Sequence, residues 1–223
     1  MGCGRDTTEW LCGASKVNLY LFGINHFDPM CRTKLVAALE HLRDTLPTRP
    51  AFVAVEWDSD LFTRVKAKRP TFRHLLCEEW PQAPPQLVDQ LVLTLGYEGD
   101  TQALVFPEAD VLWLEEGRAF DVSDFAEARL KVYKDFLGTS QLPAGVSAAL
   151  ALLSEAAWQG SREPTTGTER DDKWTRLILD KIQGCEGRWA PIIVGRNHVI
   201  NNDRYLRRQL EDAGLTCQVC ILQ

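Results

Sequence analysis

The 223-residue chain has no run of apolar residues that approaches the roughly 18 needed for a membrane-spanning helix. Its first fifteen residues, MGCGRDTTEWLCGAS, lack the basic region and the apolar core of a secretory signal peptide. The seven cysteines are odd in number and scattered, unlike the even-numbered framework of a small secreted protein. These absences predict a cytoplasmic protein without a membrane span.

An excess of basic charge is also missing, since 25 Lys and Arg residues face 31 Asp and Glu residues and give a net charge of −6. This balance argues against a general affinity for nucleic acid or for anionic membranes. The chain has neither a Gly-rich phosphate loop nor an H-E-x-x-H zinc motif. The partner that we expect is a small-molecule or peptide substrate, and the sequence leaves the oligomeric state open.

The hydrophobic pattern alternates between strand-like and helical segments. Short apolar runs predict strands at 17–22, 51–55, 111–114, 192–194 and 216–222. Helical spacing and helix-stop signals predict helices at 31–46, 86–96, 124–138, 146–158, 169–182 and 202–213. Such alternation predicts a single α/β domain over 1–223, with a mixed, mostly parallel central sheet and flanking helices. Residues 121–168 are expected to form a helical insertion.

One short motif occurs twice, near the two ends of the chain. LYLFGINH ends at His26 and PIIVGRNH ends at His198, so each apolar run is followed by glycine, one variable residue, asparagine and histidine. The glycine allows a sharp turn or a close approach of the backbone. Asn25 and Asn197 can hydrogen-bond the turn or orient the adjacent histidine, and both are candidate substrate-binding residues.

Glu56 stands directly after the second predicted strand, in the same relation to its strand as the two histidines to theirs. Because ligands of α/β sheets bind at the carboxyl ends of the strands, we expect His26, Glu56 and His198 to meet at one edge. The alternative to a shared site is that each histidine has a capping or packing role and that the glutamate is an ordinary surface residue.

A His–Glu–His set supports two hydrolytic chemistries. Two neutral imidazoles and a carboxylate can hold a divalent metal such as Mn²⁺, Co²⁺ or Zn²⁺, which lowers the pKa of a bound water. Without a metal, one histidine and the glutamate can position a water molecule and take its proton. The spacing of His26, Glu56 and His198 along the chain does not choose between them.

Four ordered segments of the chain resemble the TraB/TIKI/GumN-like family. They are LYLFGINH, VAVEWDSDLFTR, TERDDKWTRLILDKI and PIIVGRNHVINNDRYLRRQLEDAG. Members of that family have paired G-x-x-H motifs, a strand-end glutamate often followed by an arginine, and an E/D-R-N/D helix start. The family belongs with the erythromycin esterases and the ChaN-like haem-binding lipoproteins. The resemblance runs from about Val17 to Gly214 and implies an EreA/ChaN-like fold.

By position, the resemblance implies a catalytic set of His26, Glu56, Arg170 and His198, in which the arginine stabilises negative charge. It implies a substrate-binding role for Arg64, which matches the arginine after the glutamate. Trp57 adjoins Glu56 at the strand end, and this position makes it a candidate wall of the substrate pocket. Two matches are looser, the Gly96-Tyr97-Glu98 segment and Arg118. The chain departs from the family where Asp171 replaces the more usual asparagine.

The function that we expect from the residues and the resemblance together is hydrolysis of an ester or amide bond. One alternative is a non-catalytic module that holds a small ligand such as haem on the same fold. Another is a regulatory or effector module that serves a partner protein, which exposed apolar surface within 121–168 would support.

Overall fold

A five-stranded parallel sheet lies at the centre of the computed structural model, which describes residues 17–117, 121–138, 141–160, 169–200 and 205–223. The predictions for the N-terminus and Arg118 lie outside the described residues, as does most of the polar segment at 161–169. The strands are β1 (Asn18–Ile24), β2 (Val53–Val55), β3 (Val111–Trp113), β4 (Trp189–Gly195) and β5 (Thr216–Ile221). The predicted α/β class is confirmed, and every described strand pairing is parallel.

Helices connect and cover the strands. They are α1 (Cys31–Thr45), α2 (Ser59–Lys66), α3 (Arg69–Glu79), α4 (Pro85–Leu93), α5 (Tyr97–Val105), α6 (Phe125–Leu137), α7 (Val146–Gly160), α8 (Glu169–Lys181) and α9 (Leu206–Asp212). The sequence pattern did not identify α2, α3 or α5. The first is short and buries only Leu61 and Val65, whereas α5 is buried on most of its surface. Neither length nor an apolar stripe therefore distinguishes these two helices.

The strands run in the order β3-β2-β4-β1-β5. The connection from β1 to β2 passes over β4, and the connection from β4 to β5 passes over β1 in the opposite direction. A reversal of this kind opens a crevice at the carboxyl ends of the two strands, where α/β proteins bind ligands. Ile24 pairs with Gly195 in the ladder, so the two histidine motifs leave the sheet side by side.

Both faces of the sheet are buried at β1, β2 and β4, as is usual for a parallel sheet, whereas the edge strand β5 is largely exposed. Leu19 and Leu21 of β1 pack in one apolar cluster with α8 and α9. Phe22 and Ile24 point the other way and pack with α1 and α5. Because α8 packs against one face of the sheet, its first turn lies at the same edge of the sheet as the carboxyl end of β1.

A separate apolar cluster joins α2, α3, α4, α6 and α7. Phe72 and Tyr133 stack at its centre with their rings 6.3 Å apart. The insertion expected at 121–168 contains α6 and α7, and the same cluster continues into α2 to α4. In the described part of the chain, no helix has the length and apolar character needed to cross a bilayer.

Asp28 orders the turn between β1 and α1. The helix begins at Cys31 with Met30 at the N-cap, and the backbone N–H of Met30 donates to Asp28 Oδ1 at 2.8 Å. The indole of Trp158 donates to the other carboxylate oxygen at 2.8 Å. Asp28 therefore fixes the turn to α7 rather than capping α1 directly.

Candidate active site

Glu56 is the centre of a polar cluster at the carboxyl ends of β1, β2 and β4. His26 Nε2 lies 3.3 Å from one carboxylate oxygen of Glu56, and His198 Nε2 lies 3.8 Å from the other. Arg170 Nη2 donates to Glu56 Oε1 at 2.7 Å. The structure thus brings together the four residues predicted to be catalytic, around a carboxylate whose side chain is 9% exposed.

His26 lies between two carboxylates. Its Nδ1 is 2.5 Å from Glu98 Oε1 of α5, and its Nε2 faces Glu56. Burial opposes a charge on this ring, yet the carboxylates of Glu56 and Glu98 raise the pKa of His26 from 6.5 to about 10. At neutral pH the ring is therefore an imidazolium, and both of its nitrogens are donors.

Glu56 is ionised over the whole ordinary pH range. Burial alone would raise the pKa of this carboxyl, but the charge and hydrogen bond of His26 and the charge of Arg170 hold the pKa well below its usual range. The backbone N–H of Gly195 donates to Oε2 at 2.5 Å and stabilises the anion further. A permanent negative charge in a cleft between basic groups is typical of a functional site.

Gly195 is necessary for this close approach. A Cβ built on it would lie 3.2 Å from Glu56 Oε2 and 3.3 Å from His26 Nε2. Its φ of −53° is an ordinary value, so the reason for glycine is space rather than backbone conformation. The other motif glycine, Gly23, is confined more tightly, because its Cβ would lie 2.5 Å from side chains of β5 and of the segment after β4.

Arg170 reaches the crevice from the first turn of α8. Its Nε donates to Glu115 Oε1 at 2.5 Å while its Nη2 donates to Glu56. The guanidinium lies 4.7 Å from the centre of the Trp174 ring, which supports it from below. Two carboxylates fix the side chain. Because it is 34% exposed, it remains accessible to a ligand.

His198 is held from the side opposite Glu56. Its Nδ1 lies 2.8 Å from Asp171 Oδ1, and that carboxylate is completely buried. The ring lies 4.6 Å from Trp174, at an angle of 53°. The side chain is 11% exposed, and its Nε2 faces the crevice beside Glu56.

Asn25 fixes the turn that carries His26. Its Oδ1 accepts from the N–H of Phe27 at 3.0 Å, and its Nδ2 donates to the carbonyl of Ala157 in α7 at 2.8 Å. Arg129 of α6 donates to the carbonyl of His26 at 2.5 Å. Both ends of the amide contact main-chain groups, so Asn25 orients the backbone of the turn, and its substrate-binding role stays a prediction.

The other predicted substrate-binding residues lie in different surroundings. Trp57 is 8% exposed and sets its ring edge-on to His26 at 6.5 Å, so it forms a wall of the site. Asn197 is half-buried within a single 3-10 turn, Arg196–His198. Arg64 is exposed on α2, where its charge acts on Asp58 and Asp121, outside the cluster around Glu56.

The predicted metal position at His26, Glu56 and His198 does not have the form of a metal site in this arrangement. Among the described residues, no group of three or more His, Cys, Asp and Glu side chains is placed to hold a metal. Arg170 and the N–H of Gly195 occupy the oxygens of Glu56, and the nitrogens of His26 face carboxylates. A metal here would have to displace donors that already neutralise the carboxylate.

The sequence pattern gave no role to four residues of the site: Glu98, Glu115, Arg129 and Asp171. Glu115 follows β3 and could have been found by the rule that identified Glu56. Asp171 stands beside Arg170 in a first helical turn, where side chains of both residues can reach a strand end. Glu98 had only a loose motif match, and no pattern in the sequence indicates Arg129.

The structure also contains a cavity of about 670 Å³ at the opposite end of the strands. Pro47, Arg49 and Trp189 line it, at the amino ends of β2 and β4. Arg49 there pairs with Glu108, and none of the four residues predicted to be catalytic lines this cavity. The chemistry of the cluster around Glu56 therefore belongs to an open crevice and not to this cavity.

Comparison with protein-family models, with curated proteins and with solved structures found no match to this chain. The TraB/TIKI/GumN-like resemblance therefore stays a prediction from the motifs.

Proposed function

We propose that the protein is a hydrolase that cleaves an ester or amide bond of a small molecule or peptide. The observation that carries the proposal is an ionised Glu56 flanked by two imidazoles, with Arg170 on one of its oxygens. The same activity is what the TraB/TIKI/GumN-like resemblance implies.

The two sides of the cluster suit two different tasks. His198 Nε2 and Glu56 Oε1 are 3.8 Å apart, too far for a direct hydrogen bond but close enough for one water to contact both. In the proposed reaction that water adds to the substrate carbonyl carbon, and its proton passes to His198. The proton then leaves with the alcohol or amine, as the bond between carbonyl carbon and leaving group breaks.

The cationic groups suit the stabilisation of the oxyanion. His26 is charged at neutral pH, and the guanidinium of Arg170 is held in place by two carboxylates. Both N–H groups of His26 already face carboxylates, so His26 contributes its charge alone. The donor for the oxyanion is Arg170, which is fixed before the reaction and stabilises developing negative charge without reorganisation. In this proposal Glu56 has two tasks: it holds the cationic groups in place, and it contacts the water.

The test is turnover of a panel of p-nitrophenyl esters and p-nitroanilides by the purified protein. We expect a His26→Ala/His198→Ala variant to lose this turnover. The matched control is His41→Ala/His74→Ala, which removes the other two of the four histidines. Both control positions are exposed, so this variant should retain wild-type rates. Equal activity of the two double variants would contradict the proposal.

Metal dependence and ligand binding are tested on the same preparations. Elemental analysis follows dialysis against Mn²⁺, Co²⁺ and Zn²⁺. Near-stoichiometric metal in the wild type that is absent from His26→Ala/His198→Ala would support metal-assisted hydrolysis. A visible absorption band on addition of haem, without turnover of any ester or anilide, would favour the binding module instead.

Gly195→Ala should lower the proposed activity without unfolding the protein. The added methyl would have to move Glu56 or His26 by a few tenths of an ångström, which misaligns the cluster. We expect kcat to fall about 10- to 100-fold. Steady-state kinetics and thermal unfolding measure the two effects. Gly145→Ala is the control, because a Cβ there meets nothing within 4 Å.

The proposed setting is the cytoplasm. The described cysteines are free thiols, which agrees with a reducing compartment.

The large apolar side chains that are more than a third exposed in the described chain are Met30, Leu104 and Ile221. None of these lies within 121–138 or 141–160, so the described part of the insertion does not favour the partner-binding alternative.

A further inference from the structure

Asp171 stands where two groups need the same acceptor. Its Oδ1 lies 2.8 Å from His198 Nδ1 and accepts the backbone N–H of Leu206, at the start of α9, at 3.0 Å. The side chain is completely buried in the first turn of α8. A backbone N–H can only donate, so the orientation of the carboxylate is fixed independently of the histidine.

We propose that Asp171 is a positioning residue that holds the proton of His198 on Nδ1 and leaves Nε2 as the acceptor facing the crevice. The proposal rests on the proposed hydrolase function and assigns the general base within it. A carboxylate oxygen 2.8 Å from Nδ1 requires a hydrogen on that nitrogen. In a neutral imidazole the other nitrogen then carries the lone pair.

The surroundings of Nε2 agree with an acceptor. Its distance of 3.8 Å from Glu56 Oε1 exceeds hydrogen-bond length, so the carboxylate does not fix a proton there. The ring itself cannot rotate freely, because Trp174 lies 4.6 Å from it and Tyr205 lies 6.5 Å from it at an angle of 78°. The lone pair is therefore held in one direction.

The two histidines of the repeated motif thus have different partners and different tasks. His26 donates from both nitrogens, to Glu56 and Glu98. His198 donates from Nδ1 to Asp171 and can accept a proton from water at Nε2. When it does so, the carboxylate is already in contact with the imidazolium that forms, which stabilises the charge in the transition state.

Asp171→Asn tests the role of the charge. Asparagine keeps the size and one acceptor oxygen, which can still bind the N–H of Leu206. We expect kcat to fall about 10²- to 10⁴-fold while KM changes less than about threefold. Asp172→Asn is the matched control, since the adjacent carboxylate is exposed and accepts from Gln209 at 2.9 Å. An equal effect of the two substitutions on kcat would overturn the proposal.

Nitrogen NMR of protein labelled with ¹⁵N-histidine tests the tautomer without any substrate. The signals of His198 are assigned by their absence from His198→Gln. We expect Nδ1–H and a bare Nε2 in the wild type. A proton on Nε2 would refute the role of Asp171 even where the enzyme is active. Conversely, the expected tautomer in a protein that hydrolyses nothing would reject the hydrolase and retain the assignment of Asp171 as the partner that orients His198.

Discussion

Glu56→Gln is expected to lower kcat by about 10³- to 10⁴-fold. Glutamine has the same shape, but it cannot serve the same partners. One oxygen of Glu56 accepts from Arg170 and the other accepts from the N–H of Gly195. Glutamine has a single oxygen, so its NH₂ group must face one of these donors.

The same substitution removes the charge that neutralises the cluster. Breaking a buried ion pair on one side costs about 3–5 kcal/mol of folding free energy. We expect the lower end of that range or less, because the side chains of Arg170 and His26 are 34% and 27% exposed and water screens them. Urea unfolding of Glu56→Gln measures this loss alongside the kinetics.

Glu116→Gln is the control for both measurements. It makes the same chemical change at an exposed position just after β3, at the same edge of the sheet. This variant should match the wild type in kcat and in free energy of unfolding. If Glu56→Gln retained more than a tenth of wild-type kcat, the assignment of the carboxylate as the centre of the reaction would be wrong.

The sequence predicted an element correctly wherever that element has a clear hydrophobic pattern. Each of the five predicted strands exists, because each is a short apolar run bounded by turn residues. Of the three helices that the sequence pattern did not identify, α5 is the one that has no apolar stripe. Its first residues, Tyr97 and Glu98, are both buried, so no polar face separates it from its neighbours.

The sequence predicted only some of the residues of the candidate site. The order of residues along the chain shows where a strand ends, but it does not show which strands are neighbours. His26 and His198 could be expected at one edge, but their adjacency to Glu56 depends on β4 lying between β1 and β2. Glu115 obeys the same strand-end rule as Glu56 and was identifiable. Glu98 enters from a helix, where no such rule applies.

Stability should fall as the pH rises from about 6.5 to 10, and His26 is the reason. Its folded pKa of about 10 lies above its ordinary value of 6.5. A raised pKa means that the folded state binds the proton more tightly, so the contribution is complete below pH 6.5 and is lost as the pH approaches 10. Glu56 acts in the opposite range, because its pKa is lowered from 4.5 and its contribution is lost only in acid.

Thermal unfolding between pH 5 and pH 10 separates these contributions. The wild-type Tm should decline above pH 6.5, and His26→Gln should remove that part of the slope because glutamine does not titrate. His74→Gln is the matched control, since this histidine is 72% exposed and faces Glu78 on its own helix. Its Tm should follow the wild type at every pH. A decline in His26→Gln as steep as that of the wild type would show that His26 is not held as an imidazolium. The electrostatic role proposed for His26 in catalysis would then fail together with its proposed effect on the pH dependence of stability, because both depend on the same charge.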